Sequence, residues 1–166
     1  MKKLVFVLVA TALLFQFCDK PAAVTDPEKE ISEIRTVLEK YSIANEKEDF
    51  SIMEEIWMPA DDILLIGTDS DEVLLGWEEI QKAIRSQHGK FESTLINISD
   101  QRIKVNETCN TAWFSEELNY NFIYQEKAMS FEGIRFTGVL CKKDGKWKLV
   151  QGHLSIPAQV VIEEVR

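Results

Sequence analysis

The chain has 166 residues, 45% of them hydrophobic, and its 28 acidic against 19 basic side chains give a formal charge of −9. That length supports one globular domain with a core and is too short for two comfortable ones, while the aromatic and charged shares belong to a folded chain rather than a disordered acidic tail. The negative charge removes the long-range attraction that nucleic acid or an anionic membrane surface would need, so general nucleic-acid binding is excluded.

Lys2 and Lys3 precede an uncharged run from Leu4 to Phe17, the arrangement of a signal peptide over residues 1–17. The run is too short to span a bilayer comfortably, and a buried N-terminal helix is the other use for it. Cys18 stands where a bacterial lipoprotein carries its lipidated cysteine, and residues 18–27, with Pro21 and two alanines, read as a tether. The expectation is an exported protein, periplasmic or at the cell surface, whose membrane contact is confined to that anchor. Losing residues 1–17 takes away two lysines and no acid, moving the formal charge from −9 to −11. Residues 28–160 form the domain and 161–166 a C-terminal tail.

Asp26, Pro27 and Glu28 supply an N-cap, a permitted first-turn proline and an acid that suits the helix dipole. The helix they open carries Ile31, Ile34, Leu38 and Tyr41 on one face, with Glu33, Arg35, Glu39 and Lys40 left in water. Asp49 caps a second, short helix with Ile52, Met53, Ile56 and Trp57 inward, and Pro59 stops it. Ile63 to Ile66 and Val73 to Leu75 flank a polar turn and predict a β-hairpin. A third helix starts near Trp77, places Ile80 and Ile84 inward, and ends with Gly89 at C′.

Phe91 to Ile156 reads as four long strands, divided at Ser99–Arg102 or Asn106–Asn110, at Gln125–Lys127, and at Lys143, Asp144 and Gly145. Ile134, Phe136 and Leu140 alternate with Arg135, Thr137 and Val139, so both faces carry apolar groups and need cover. Helices cover one face; a second subunit, giving a homodimer through the sheet, is the economical cover for the other. A turn that sets Tyr124 opposite Ala128 places Cys109 almost opposite Cys141. An exported protein permits these two to bridge, and buried free thiols are the alternative.

This order of elements, with Tyr41 eight residues before Asp49, the Trp57-to-Asp62 stretch, Gly76-Trp77, Ile134-Arg135-Phe136-Thr137 and the ending Gly145 to Pro157, resembles the nuclear transport factor 2-like superfamily and, within it, the SnoaL-like branch. The His153-x-Ser155 ending also resembles the association domain of calcium/calmodulin-dependent kinase II. The resemblance implies an α+β, cone-shaped fold, three N-terminal helices packed on a curved, mostly antiparallel sheet, with a pocket at the open end. Fold alone does not give function. Tyr41 stands where the steroid isomerases of the superfamily have their oxyanion-donating Tyr. Their general-base Asp falls at about Gly67, which has no side chain, and their protonated Asp at about Arg135. Enolisation needs a carboxylate and oxyanion donors, so that chemistry is disfavoured.

Arg135, mid-sheet between apolar neighbours, is costly unless paired, and its planar fork suits a carboxylate or phosphate. Its partner is either an anionic ligand or one of Glu116, Glu117 and Glu132. Glu116 and Glu117 point to opposite faces of their strand, so at most one enters a pocket. His153 and Ser155 share a strand face and either line a wall or bond neighbouring strands, while His88 suits the C-terminal dipole of the third helix. Trp57, Trp77 and Trp113 are core residues or pocket walls beside Tyr41. Two histidines and two body cysteines lack metal-ligand spacing, no Gly-rich phosphate loop is present, and no cofactor is implied. The expected site is therefore a pocket for a partly apolar, anionic small molecule at Tyr41, Trp57, Trp77, Trp113, Arg135, His153 and Ser155. The alternatives are an enzyme of the polyketide cyclase or isomerase type using Tyr41 and His153, and a dimerisation module with a filled pocket.

Overall fold

The computed structural model describes residues 26–69 and 71–158; the expected signal peptide, Cys18 and the expected C-terminal tail lie outside the described residues. Three helices, α1 (Pro27–Lys47), α2 (Phe50–Ile56) and α3 (Trp77–Gln87), alternate with a small hairpin, β1 (Leu64–Ile66) and β2 (Val73–Leu75), before four long strands. These are β3 (Glu92–Val105), β4 (Thr111–Tyr124), β5 (Lys127–Lys143) and β6 (Lys146–Ser155). All six strands form one sheet in the order β2-β1-β6-β5-β4-β3, antiparallel except where β1 runs parallel to β6.

The helix starts follow from their caps: Asp26 accepts from Glu28 N–H at 3.1 Å and Asp49 from Ser51 N–H at 3.0 Å. Gly76, at φ +81°, takes the N-cap place of α3, a backbone geometry that costs glycine little. The division between β3 and β4 is Asn106–Asn110; Ser99–Arg102 is a register shift inside β3, with Asp100 at φ +48°. Gln125 and Glu126 both have positive φ and make a two-residue turn that pairs Tyr124 with Lys127, one residue tighter than a partner at Ala128. A second shift between Leu118 and Tyr120 then sets Thr111, rather than Cys109, opposite Cys141, and both cysteines are free.

The core lies between the helices and one face of the sheet. Ile34, Leu38 and Tyr41 of α1, Met53 and Ile56 of α2 and Ile80 of α3 meet Phe114, Leu118, Phe136, Leu140 and Leu149. Phe136 stacks on Tyr41 at 4.6 Å between ring centroids and meets Phe114 edge-on at 4.9 Å. Glu46, near the end of α1, accepts from the Ile96 N–H of β3 at 2.7 Å.

The start of α1 is anchored by charge. Glu30, four residues before Ile34 on the same stripe, is buried where Ile31 was expected to turn inward, and Ile31 is only half-buried. Its carboxylate accepts from Lys142 Nζ at 2.5 Å and from the indole N–H of Trp147 at 2.7 Å. Burial pushes the Glu30 carboxyl up, but the Lys142 and Trp147 hydrogen bonds and the Lys142 charge pull it further down, to a net position below its ordinary value. A carboxyl lowered in the folded state contributes stability above its unfolded pKa and loses it as pH falls. Glu30→Gln is expected to cost about 2–3 kcal/mol at neutral pH, because the partly buried Lys142 loses its close counter-charge and keeps only Glu33, at 4.0 Å. Urea unfolding curves should show the variant and the parent converging as pH drops through the carboxylate range.

Candidate functional site

Where the helices splay from the sheet, a cavity of about 350 Å³ opens. Its wall begins on the last two turns of α1 with Tyr41, Asn45 and Glu48, continues through Leu65 and Gly67 to Glu72 of the hairpin, and takes Ile84 and His88 from α3. Phe91, Tyr120, Phe122, Phe131, Ile134 and Leu154 close the sheet side. The three phenylalanines form one aromatic wall, with ring centroids 4.7 Å apart for Phe91–Phe122 and 5.6 Å for Phe122–Phe131. A volume near the lower end of small-molecule pockets, mostly apolar with a few convergent polar groups, is the form such sites take.

The strand alternation decides which expected residues reach it. Phe136 and Ile134 turn inward, so Arg135 between them is exposed on the helix-free face, level with Glu117 on β4 and Ser155 on β6. Leu154 pairs with Phe136 and lines the cavity, which places His153, paired with Thr137, and Ser155 on the opposite face from Tyr41. The anion anchor expected at Arg135 and the Tyr41–His153 pair are therefore corrected: the sheet separates them. Trp57 is core, 1% exposed, and bridged to Leu149. Trp77 stacks on Phe50 at 6.0 Å, outside the lining, and Trp113 stands 52% exposed on the helix-free face. Of the expected set, Tyr41 alone lines the cavity.

Two further lining residues, His88 and Glu72, were not among the expected site residues. His88, assigned to a helix dipole, lies in the wall and meets Phe50 edge-on. Glu72 folds its carboxylate over Gly67, in the space a Cβ there would take. The position that lacks a side chain of its own is thus filled from across the hairpin, where Gly67 N–H donates to the Glu72 carbonyl at 2.9 Å.

Below Tyr41, on the inward face of β4, Glu116 is 4% exposed. Its Oε2 accepts from Gln101 Nε2 at 2.7 Å, and Gln101 in turn accepts from Arg35 Nε at 3.1 Å; its Oε1 has no partner. Desolvation raises the Glu116 carboxyl to about 7, against the smaller lowering effect of the Gln101 hydrogen bond. Burial, and then the neighbouring carboxylates, also push Tyr41 and Tyr120 well above the ordinary phenol value, so both hydroxyls stay protonated at neutral pH.

The fold is that of the nuclear transport factor 2-like superfamily, as solved structures show. An NTF2-like superfamily protein from Salmonella enterica serovar Typhimurium superposes with a TM-score of 0.73 at 18% identity, covering 84% of this chain and 99% of that one. A proposed dehydratase of the NTF2-like family from Streptomyces avermitilis gives 0.72 at 17%, covering 81% and 100%. A proposed calcium/calmodulin-dependent protein kinase II association domain from Xanthomonas campestris gives 0.66 at 19%, covering 83% and 93%. The family model of the SnoaL-like domain matches residues 34–159, and the chain belongs to that family. No curated protein matches the sequence.

An acid whose folded pKa is raised binds more protons folded than unfolded, so its contribution to stability falls as pH rises from its unfolded pKa to about 7. Glu116→Gln is expected to abolish that decline, which amounts to about 3 kcal/mol across the window. Unfolding midpoints measured from pH 4.5 to 8 check it: a parental slope unchanged in the variant would assign the titration to another group.

Proposed function

We propose that this SnoaL-like domain is an exported small-molecule-binding protein that holds a partly apolar ligand in the cavity between Tyr41 and the Phe91–Phe122–Phe131 wall. The single observation behind the proposal is a cavity of about 350 Å³ with one aromatic side and the side chains of Tyr41 and Tyr120 in its wall. Export rests on Lys2, Lys3 and the uncharged Leu4–Phe17 run, with Cys18 as the anchor position. Arg135 lies outside this cavity, so it enters the proposal as a surface residue level with Glu117.

Homodimerisation through the helix-free face belongs to the same proposal. Trp113 is 52% exposed there, and the row that pairs it with Val139, then Gln151 and Leu64, ends at Leu75, which is 60% exposed. A patch of this kind on an antiparallel sheet is what a second subunit would cover.

A second reading, acid–base catalysis of the dehydratase type, is favoured by Glu116, whose carboxyl near 7 exchanges protons at working pH beside Tyr41. The similar Streptomyces avermitilis protein, a proposed dehydratase of the NTF2-like family, points the same way. This reading replaces a Tyr41–His153 pair with Tyr41 and Glu116.

Native mass spectrometry of the protein taken from its own export compartment is expected to show a co-purifying small molecule, retained in Arg135→Ala and lost when Ile134→Trp fills the cavity. Loss in Arg135→Ala with retention in Ile134→Trp would move the site to the other face of the sheet. Light scattering is expected to give a dimer for the parent and a folded monomer for Trp113→Glu. A parental monomer would remove dimerisation from the proposal. Conversion of the co-purified molecule, with a pH profile lost in Glu116→Gln, would favour catalysis over simple binding.

A further inference from the structure

The cavity's charge is one-sided. Glu48, Asp69 and Glu72 line it, neither Lys nor Arg does, and His88 is its one basic side chain. Among the described residues, none of those three carboxylates belongs to an ion pair, although four other carboxylates do. Glu48 is occupied by the Gly89 N–H, which it accepts at 2.6 Å. Glu72 has no such engagement, and its carboxylate lies against the bare Gly67 backbone at the wall.

A further carboxyl lies deeper in the cone, outside the lining. Glu116 is 4% exposed, faces inward on the strand that carries Tyr120, and leaves Oε1 without a hydrogen-bond partner. With neither Lys nor Arg in its wall, the fixed charge lining the cavity is negative. The facing wall of Phe91, Phe122 and Phe131 offers ring surfaces, which attract a cation as well as an apolar body.

Resting on the pocket assignment of the preceding section, we propose that the cavity's ligand is an organic cation, an amine with an apolar or aromatic body, whose ammonium group is met by the Glu72 carboxylate. An anion would meet three carboxylates at the rim against the single basic side chain of His88. A neutral ligand would leave Glu72 without a partner on desolvation, at a cost that an ammonium removes. Gly67 has a role in this arrangement: only a residue without Cβ lets the Glu72 side chain lie inward over the backbone. Because the displaced group is the far end of a flexible side chain, Gly67→Ala turns the carboxylate away while keeping the fold.

The test uses three probes with one aromatic body, 2-(1-naphthyl)ethylammonium, 2-(1-naphthyl)ethanol and 1-naphthaleneacetate, titrated calorimetrically into the purified protein at neutral pH and low salt. The ammonium is expected to bind at least tenfold more tightly than the alcohol, with the acetate weakest. Glu72→Gln and Gly67→Ala should each remove the tenfold preference of ammonium over alcohol measured within that variant, and thermal melts should show both variants folded. Equal affinity for ammonium and alcohol, or a preference that survives Glu72→Gln, overturns the proposal. Tighter binding of the acetate overturns it and retains the cavity as a binding site. Absence of binding by all three overturns the cation while leaving the cavity to the co-purification result above.

Discussion

Phe136 occupies the centre of the molecule, wholly buried between the ring of Tyr41 and the edge of Phe114, and its placement fixes the phase of the three strands around it. Strand side chains alternate, so once Phe136 is inward its neighbour Arg135 is outward, and the cross-strand partners inherit the same faces. Leu154 follows Phe136 inward; His153 and Ser155 go out. Gly152, whose added Cβ would crowd Phe136, Leu65 and Trp57, provides the space for that ring. A one-residue slip of β5 would exchange the faces and bring a guanidinium into the core, an arrangement costly enough to be excluded.

Two buried carboxylates show how differently one core treats the same group. Glu30 is met by an ammonium and an indole N–H, so it is held ionised and ties the first turn of α1 to β5 and β6. Glu116 receives one amide hydrogen bond and leaves an oxygen bare. The first is a structural fastening. The second sits beneath the two tyrosines of the cavity, in a state that fastening alone does not require.

The fold was legible because each level of the sequence agreed. Asp26-Pro27 and Asp49 announced their helices, Gly76-Trp77 opened the third, and Asp144-Gly145 marked the last hairpin, as the structure has them. The site was less legible, since Arg135, His153 and Ser155 were weighed by chemical type before their strand phase was known. Apolar residues on both faces of β5 hid that phase, and the two register shifts in β4 and β5 broke any simple count from the turns. Tyr41 was found because it continues the stripe of Ile34 and Leu38. Glu30 could have been found the same way, four residues before Ile34. Glu72 could not, because nothing local shows that its side chain crosses a hairpin to lie over Gly67.

The rim of the cavity is carried by the shortest strands. β1 and β2 pair over three residues each, and β1 joins the main sheet through a three-residue parallel ladder with β6, whereas β4 and β5 pair over nearly their full lengths. Local opening free energies track the number of cooperative contacts that must be given up. The β1–β2 pair therefore opens at a smaller free-energy cost than any of the long strands. Glu72, at the rim, is thus carried by far shorter ladders than Phe122 and Phe131, which stand on the long strands of the opposite wall.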